Sequence, residues 1–359
     1  MSGGMNQPVH LLSTSDGVRL AWAVDGQGMP LVKTSNWLTH LEYDRDSPVW
    51  RHWVRFLSSH FRYLRYDERG CGMSDWEVGD LSLPRWIEDL ENVVDASGLP
   101  QPFVLLGISQ GAATAVAYAV RHPERVSHLV LYGGYALGAK KRGNHDSGHF
   151  YELMEELARM GWDKPNPAFR QLFTSRFIPE GTEEQIGWFN ELCRKSTRAE
   201  IGARLIAARA EVDACEYLPR VSVPTLVLHA THDEVVPFSE GKRLATQIPG
   251  AIFVPLDSRN HVLLEHEPAW ADFCAAVRDF TGQVNEKSES AAPPKPSLSR
   301  REQEVLGLLC EGASNAQIAW DLKLSEKTVR NHVSHILHKL GVRSRSEAIV
   351  YCHRHGMPG

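Results

Sequence analysis

The sequence has 359 residues, of which 42% are hydrophobic and 23% charged, and a formal net charge of −5. These proportions exclude a largely disordered or fibrous chain, and the length suits two globular domains with a sizeable core. No run of about 18 apolar residues occurs, which argues against a membrane-spanning helix.

The first residues, Met1–His10, lack a basic stretch followed by an apolar one and do not read as a signal peptide. Beyond them, short apolar runs alternate with helix-like segments. Strands are predicted at Pro30–Thr34, Tyr63–Tyr66, Phe103–Ile108, Val126–Tyr132, Pro224–His229 and Ala251–Leu256. Helices are predicted at Pro48–Ser59, Leu83–Ser97, Gln110–His122, Phe238–Ile248 and Glu267–Phe280. Continuous apolar strands between helices indicate a mostly parallel sheet covered on both faces. From about Tyr135 to Pro219 the pattern is helical only, as in His149–Met160 and Glu183–Thr197, which predicts an inserted cap over the sheet.

Gln283–Ser297 carries one Val, no aromatic residue and much Pro, Ser and charge, so it reads as a linker. Extended, it would reach about 50 Å. The domain expectation is therefore 1–282, linker 283–297 and 298–359. Charge divides at the same place. Residues 298–359 hold nine Lys/Arg against six Asp/Glu, a balance of +3, which leaves −8 on the other 297 residues. An acidic body with a basic tail confines any nucleic-acid contact to the tail. The six cysteines, Cys71, Cys193, Cys215, Cys274, Cys310 and Cys352, form no C-x-x-C pair. That speaks against a zinc site or a disulfide framework and fits a reducing cytoplasm. No cofactor or metal motif is visible.

Phe103–Gly111 reads F-V-L-L-G-I-S-Q-G and runs into a predicted helix. G-x-S-x-G between strand and helix projects the serine, here Ser109, above the sheet edge beside helix N-terminal amides. A serine needs a base, and the base needs an orienting carboxylate, in the chain order Ser, acid, His. Asp233 and His261 each sit in a loop just after a predicted strand, where strand ends would meet Ser109. Glu234 competes as the acid, and His229, His232 and His266 compete as the base.

With these residues, positions from about 10 to 282 resemble the α/β-hydrolase superfamily. Arg65–Asp75, R-Y-D-E-R-G-C-G-M-S-D, is similar to its D-x-R-G-x-G-x-S loop, which in that family is mainly structural, so Asp67 and Arg69 receive no chemistry. Ser35–Asp44 occupies the family's oxyanion-loop position, with Ser35-Asn36 where many members have His-Gly. The resemblance implies oxyanion amides from Trp37 and Gln110.

In the tail, Ser299 with Glu302, Ser314 with Gln317 and Ser344 with Glu347 form S-x-x-E/Q capping boxes, and Ser325 is a fourth N-cap. With Gly312, Gly341 and Gly356 as stops, the predicted helices are 300–311, 315–322, 326–340 and 345–355. Val329, Val333, Ile336, Leu337 and Leu340 form the apolar stripe of the third helix, leaving Lys327, Thr328, Arg330, Asn331, Ser334 and His335 off it. Donors spaced in this way can line a major groove.

L-S-R-R-E-Q-E-V-L, E-G-A-S-N, S-E-K-T-V and L-G-V-R-S-R together resemble the LuxR-type (GerE- or FixJ-like) helix-turn-helix over the whole tail. The resemblance implies double-stranded DNA as partner, with Lys327, Arg330, Asn331 and His335 facing it. Arg330 and Asn331 are candidates for base edges. Ser325, Lys327 and the amides of the helix start are candidates for phosphate. It also implies a homodimer formed through the last helix, at Ile349, Val350 and Cys352. Asn331 stands where Thr is common, and Trp320, in an often polar stretch, is expected to pack. Two readings stay open: a cytoplasmic transcription regulator whose hydrolase domain senses a small molecule, and a serine hydrolase of ester, lactone or amide bonds with an appended DNA-binding module.

Overall fold

A computed structural model describes residues 8–143, 145–283, 298–342 and 344–354. Eight strands form one sheet: β1 (His10–Ser13), β2 (Arg19–Asp25), β3 (Met29–Lys33), β4 (Phe61–Tyr66), β5 (Phe103–Ile108), β6 (Val126–Tyr132), β7 (Thr225–Ala230) and β8 (Ile252–Leu256). Their order is β1-β2-β4-β3-β5-β6-β7-β8. From β4 to β8 all neighbours are parallel, whereas β2 pairs antiparallel with both β1 and β4. Every residue of β5 and β7 is buried, which is why both read as unbroken apolar runs. β1 and β2 lie beyond the sequence expectation. Three of the four β1 residues are exposed and none is buried, so no apolar run marks it.

Helices α1 (Arg51–His60), α2 (Leu83–Ser97) and α3 (Gly111–Arg121) follow the early strands. Nine of the eleven residues of α3 are buried, five of them alanines, so the helix packs close to the sheet behind Ser109. Between β6 and β7 come α4 (His145–Gly161), α5 (Ala168–Phe177), α6 (Glu183–Ser196) and α7 (Ala199–Ala210). A capping box of Thr182 and Gln185 starts α6. Fully buried Arg170 ties these helices together by donating to the carbonyls of Asn190 (2.9 Å), Trp162 (2.7 Å) and Lys164 (2.6 Å). Two of these carbonyls, Trp162 and Lys164, lie just past the end of α4, where a guanidinium satisfies acceptors that the helix leaves unpaired. The sheet is completed by α8 (Phe238–Gln247) and α9 (Pro268–Phe280).

The sheet order places β4 and β5 on opposite sides of β3. The winding reverses there, so the loops leaving the carboxyl ends of β3 and β5 diverge and open a crevice. Trp37 lies in the first of these loops and Ser109 in the second.

The C-terminal unit is four helices, α10 (Arg300–Cys310), α11 (Asn315–Asp321), α12 (Glu326–Leu340) and α13 (Arg345–Arg354). Ser299–Glu302 and Ser314–Gln317 form reciprocal capping boxes, and Ser325 Oγ accepts from the Thr328 amide. Of the Ser344–Glu347 pair, the hydrogen bond from the Glu347 amide to Ser344 Oγ is present at 3.1 Å. Gly312 and Gly341 take φ of 83° and 70°, left-handed conformations that suit helix stops. Gly356 and linker residues 284–297 lie outside the described residues.

Two expectations for this unit are corrected. Trp320 does not pack: it is 84% exposed on α11, because the buried face of that short helix is filled by Ile318 and Ala319. Ile349, Val350 and Cys352 do not form an open surface. They are buried within the chain, where α13 runs against α9 and β8 and Gly312 approaches Phe253.

Candidate active site and nucleic-acid interface

Ser109 has φ of 55°, a left-handed conformation in a non-glycine residue. The flanking glycines make that turn possible for steric reasons. A Cβ on Gly107 would stand 2.8 Å from Ala112 Cα, and one on Gly111 would stand 2.7 Å from the Ser35 carbonyl oxygen. The Ser109 amide donates to the Tyr132 carbonyl at 3.0 Å, anchoring the turn to the end of β6. Strain held by the surrounding structure in this way is a feature of functional turns.

His261 and Asp233 meet beside the same strand end. His261 Nδ1 donates to Asp233 Oδ2 at 2.6 Å, with both side chains buried. Asp233 Oδ1 accepts the amides of Val235 (2.8 Å) and Val236 (2.9 Å). Burial pushes the Asp233 carboxyl up. The charge and hydrogen bond of His261, His229 and the Val236 amide outweigh that and hold it below the ordinary carboxylate value. The imidazole is held from the cap side too, since the Phe177 carbonyl accepts the His261 amide at 2.9 Å and the Phe177 ring meets the imidazole edge-on. Gly133 leaves room for the pair: a Cβ there would be 3.2 Å from His261 Cε1. His261 Nε2 has no hydrogen-bond partner among the described residues.

Three of the competing residues are placed away from the Asp233–His261 pair. Glu234 pairs with Arg259 at 3.0 Å on the surface, and His232 and His266 are exposed. His229 is buried with Nε2 donating to the Val236 carbonyl at 3.0 Å, and it stands 3.7 Å from Asp233.

Trp37, Ser109 and Gln110 line one cavity. Neither the Trp37 amide nor the Gln110 amide donates to an acceptor among the described residues. Asn36 braces this loop, with Nδ2 donating to the Trp37 carbonyl at 3.2 Å and Oδ1 accepting from buried Lys33. Ser109 at its turn, the Asp233–His261 pair and two amides without acceptors are the residue types that acyl transfer uses. Asp67 and Arg69 are structural. Asp67 Oδ2 accepts the amides of Leu41 (3.0 Å) and Met73 (2.9 Å), and Arg69 makes two 2.6 Å bonds to Asp89.

The remaining wall of the cavity was not legible in the sequence. Tyr135, Phe150, Phe173, Phe177, Arg176 and Arg209 belong to it, and cap helices carry no motif that announces such residues.

On α12, Lys327, Arg330, Asn331, Ser334 and His335 are exposed, as is Ser325 at its start, while Thr328 is half-buried. The five exposed positions recur at helical spacing and share one face. Val329, Ile336 and Leu340 are buried on the other, with Val333 and Leu337 half-buried beside them. Arg330 stands 3.8 Å from Glu326, an exposed pair that restrains it little.

A mostly parallel sheet with a left-handed serine at its switch point defines an α/β hydrolase, and four helices with a polar-faced third define a helix-turn-helix unit. Residues 53–255 match the family described as serine aminopeptidase, S33, and residues 296–352 match the bacterial regulatory proteins, luxR family. The chain belongs to the first of these families and carries a LuxR-type domain behind it, which makes it a DNA-binding regulator with a hydrolase-like domain. Pyrrolizixenacetamide deacetylase of Xenorhabdus hominickii is 25% identical over 266 residues, covering 73% of this chain and 94% of that protein. Spore germination protein GerE of Bacillus subtilis is 50% identical over 62 residues, covering 17% of this chain and 84% of its own. A hydrolase from Pseudomonas aeruginosa PA01 superposes with a TM-score of 0.63 at 27% identity, covering 79% of this chain and all of its own. Among the described residues no helix is long and apolar enough to cross a membrane.

Proposed function

We propose that the protein is a cytoplasmic, sequence-specific transcription regulator in which residues 1–282, with a cap at about 135–219, bind and cleave a small ester, lactone or amide. They report its presence across linker 283–297 to residues 298–359. Ser109 attacks the carbonyl, His261 takes the serine proton, and Asp233 holds the imidazole in its working tautomer. The amides of Trp37 and Gln110 receive the oxyanion. On DNA, Ser325, Lys327 and the first-turn amides of α12 contact phosphate. Arg330 and Asn331 read base edges, and Thr328, Ser334 and His335 complete the face.

The observation that carries the regulatory reading is the docking of α13 on β8 and α9. Those two elements flank the loop that holds His261. A ligand that moves His261 therefore acts on the elements that hold α13. Release of α13 frees Ile349, Val350 and Cys352 for a homodimer.

The test uses the full-length chain and a duplex selected from a random pool. An aromatic sulfonyl fluoride is used to occupy Ser109 covalently. Occupancy is expected to change DNA affinity in the wild type and not in Ser109→Ala. Failure to bind any duplex at low salt sinks the regulator. Unchanged affinity on occupancy sinks the coupling and leaves a hydrolase with an appended DNA-binding module.

A further inference from the structure

We infer that the cavity beside Ser109 selects compounds in which a carboxylate is attached to an apolar body, and that Arg176 and Arg209 make this selection. The inference rests on the reading of that cavity as the ligand site and names the class of ligand.

The argument is a census of charge and of unused donors. The walls are mostly aromatic and aliphatic, among them Trp37, Tyr135, Phe150, Phe173, Phe177 and Ile206. Into this apolar surface come two arginines and no Asp or Glu. Arg209 is buried, and its guanidinium lies 4.5 Å from the centre of the Trp37 ring. One of its nitrogens, Nη2, donates to buried Glu68 on the side of the D-E-R-G loop. Its Nε and Nη1 have no hydrogen-bond partner among the described residues. Two buried guanidinium nitrogens without acceptors are costly, and a ligand oxygen that reaches them removes the cost.

Arg176 supplies the net charge. Its guanidinium sits 4.3 Å over the Phe150 ring, and Nη2 donates to the Glu234 carbonyl rather than to a carboxylate. Arg209 has Glu68 as its counterion, whereas Arg176 forms no ion pair among the described residues. The cavity is therefore a net cationic, aromatic-walled chamber. Forked N–H donors on a planar cation match a carboxylate better than a neutral carbonyl, and the low-dielectric walls strengthen the attraction. The aromatic wall serves the apolar remainder of the ligand.

The test compares p-nitrophenyl monoesters of the dicarboxylic acids from succinic to suberic with their methyl-capped diesters, on the full-length protein. At the best chain length, kcat/KM is expected to favour the free carboxylate by about ten- to a hundredfold, the range of a charge-assisted hydrogen bond in a desolvated site. The preference should shrink as salt rises. Arg176→Met is expected to bring the ratio toward unity. Because Arg209→Met alone strands Glu68, it is paired with Glu68→Gln, and the double variant is expected to lower the same ratio. A wild-type ratio near one, or a ratio that survives both variants, overturns the inference. If no ester turns over, the hydrolytic reading fails separately. Selection is then read by thermal shift with phenylpropanoate against phenylpropanamide. Stabilisation by the acid alone, abolished in Arg176→Met, supports the inference, and equal shifts overturn it.

Discussion

His52 Nε2 donates to the Leu263 carbonyl at 2.9 Å, joining α1 to the segment two residues beyond His261. Trp53 Nε1 donates to the same oxygen at 3.1 Å, so two buried side chains fix one carbonyl at the base of the candidate site. The bond from His52 requires a hydrogen on Nε2, and the neutral tautomer provides it. Burial lowers the His52 pKa to about 4, with the Leu263 carbonyl opposing the shift. The folded value lies below the unfolded one of about 6.5. At neutral pH both states are unprotonated and the full stability is present. As pH falls from about 6.5 toward 4, the unfolded chain takes a proton that the folded chain refuses, and stability declines by up to about 3 kcal/mol. His52→Gln, which keeps an N–H donor but cannot titrate, is expected to lose less stability over that window. Urea unfolding of both proteins from pH 7 to 4 checks this, and parallel curves contradict it.

Ser109→Ala is expected to reduce hydrolysis of a p-nitrophenyl ester by about a thousandfold or more, since no other group replaces the nucleophile. Asp233→Asn should cost a similar order while leaving the fold intact, because the side chain still accepts from the Val235 and Val236 amides. Burst-phase kinetics separate acylation from its aftermath. Full activity in Ser109→Ala would falsify the assignment of the nucleophile.

Legibility followed the range of the interactions. The turn at Ser109 was readable because its requirements lie within five residues: a strand, two glycines with no room for a Cβ, and a helix. The tail helices were readable for the same reason, each cap being closed by residues three apart. Asp233 and His261 were readable only as candidates, since Glu234 sits next door and only the fold sends it to Arg259. The pairing of Arg209 with Glu68 joins residues 141 apart, and the docking of α13 on α9 and β8 joins elements far apart in the chain. No local pattern encodes either. Trp320 was expected to pack on its residue type alone, whereas the short α11 buries only Ile318 and Ala319 and leaves Trp320 exposed.

Lys327 and Arg330 should separate affinity from selectivity. Both are exposed on α12, the first at its positively polarised start and the second one turn in. Lys327→Ala is expected to weaken all duplexes alike and to reduce the salt slope by about one unit. Arg330→Ala is expected to cost about 1–3 kcal/mol on the preferred duplex and little on others. The measurement is affinity for a matched and a scrambled duplex across a salt series. Equal losses on both duplexes for both variants would remove the division of labour.

Asp272 on α9 gives the docked state of α13 a pH dependence of its own. Burial pushes its carboxyl up, Glu347 on α13 pushes the same way, and Arg345 opposes them. A carboxyl raised in the docked state favours docking when protonated, so docking is strongest below its undocked value and weakens as pH rises through the raised one. Asp272→Asn keeps the shape and mimics the protonated form. It is expected to hold α13 more tightly and to remove this pH dependence. If undocking precedes dimerisation on DNA, the variant binds a two-site duplex more weakly than the wild type at pH 7. At acid pH, where the wild-type carboxyl is also neutral, the two converge. Hydrogen exchange along α13 reads docking directly, and faster exchange in Asp272→Asn would mean that the Arg345 attraction outweighs burial and that the sign is reversed.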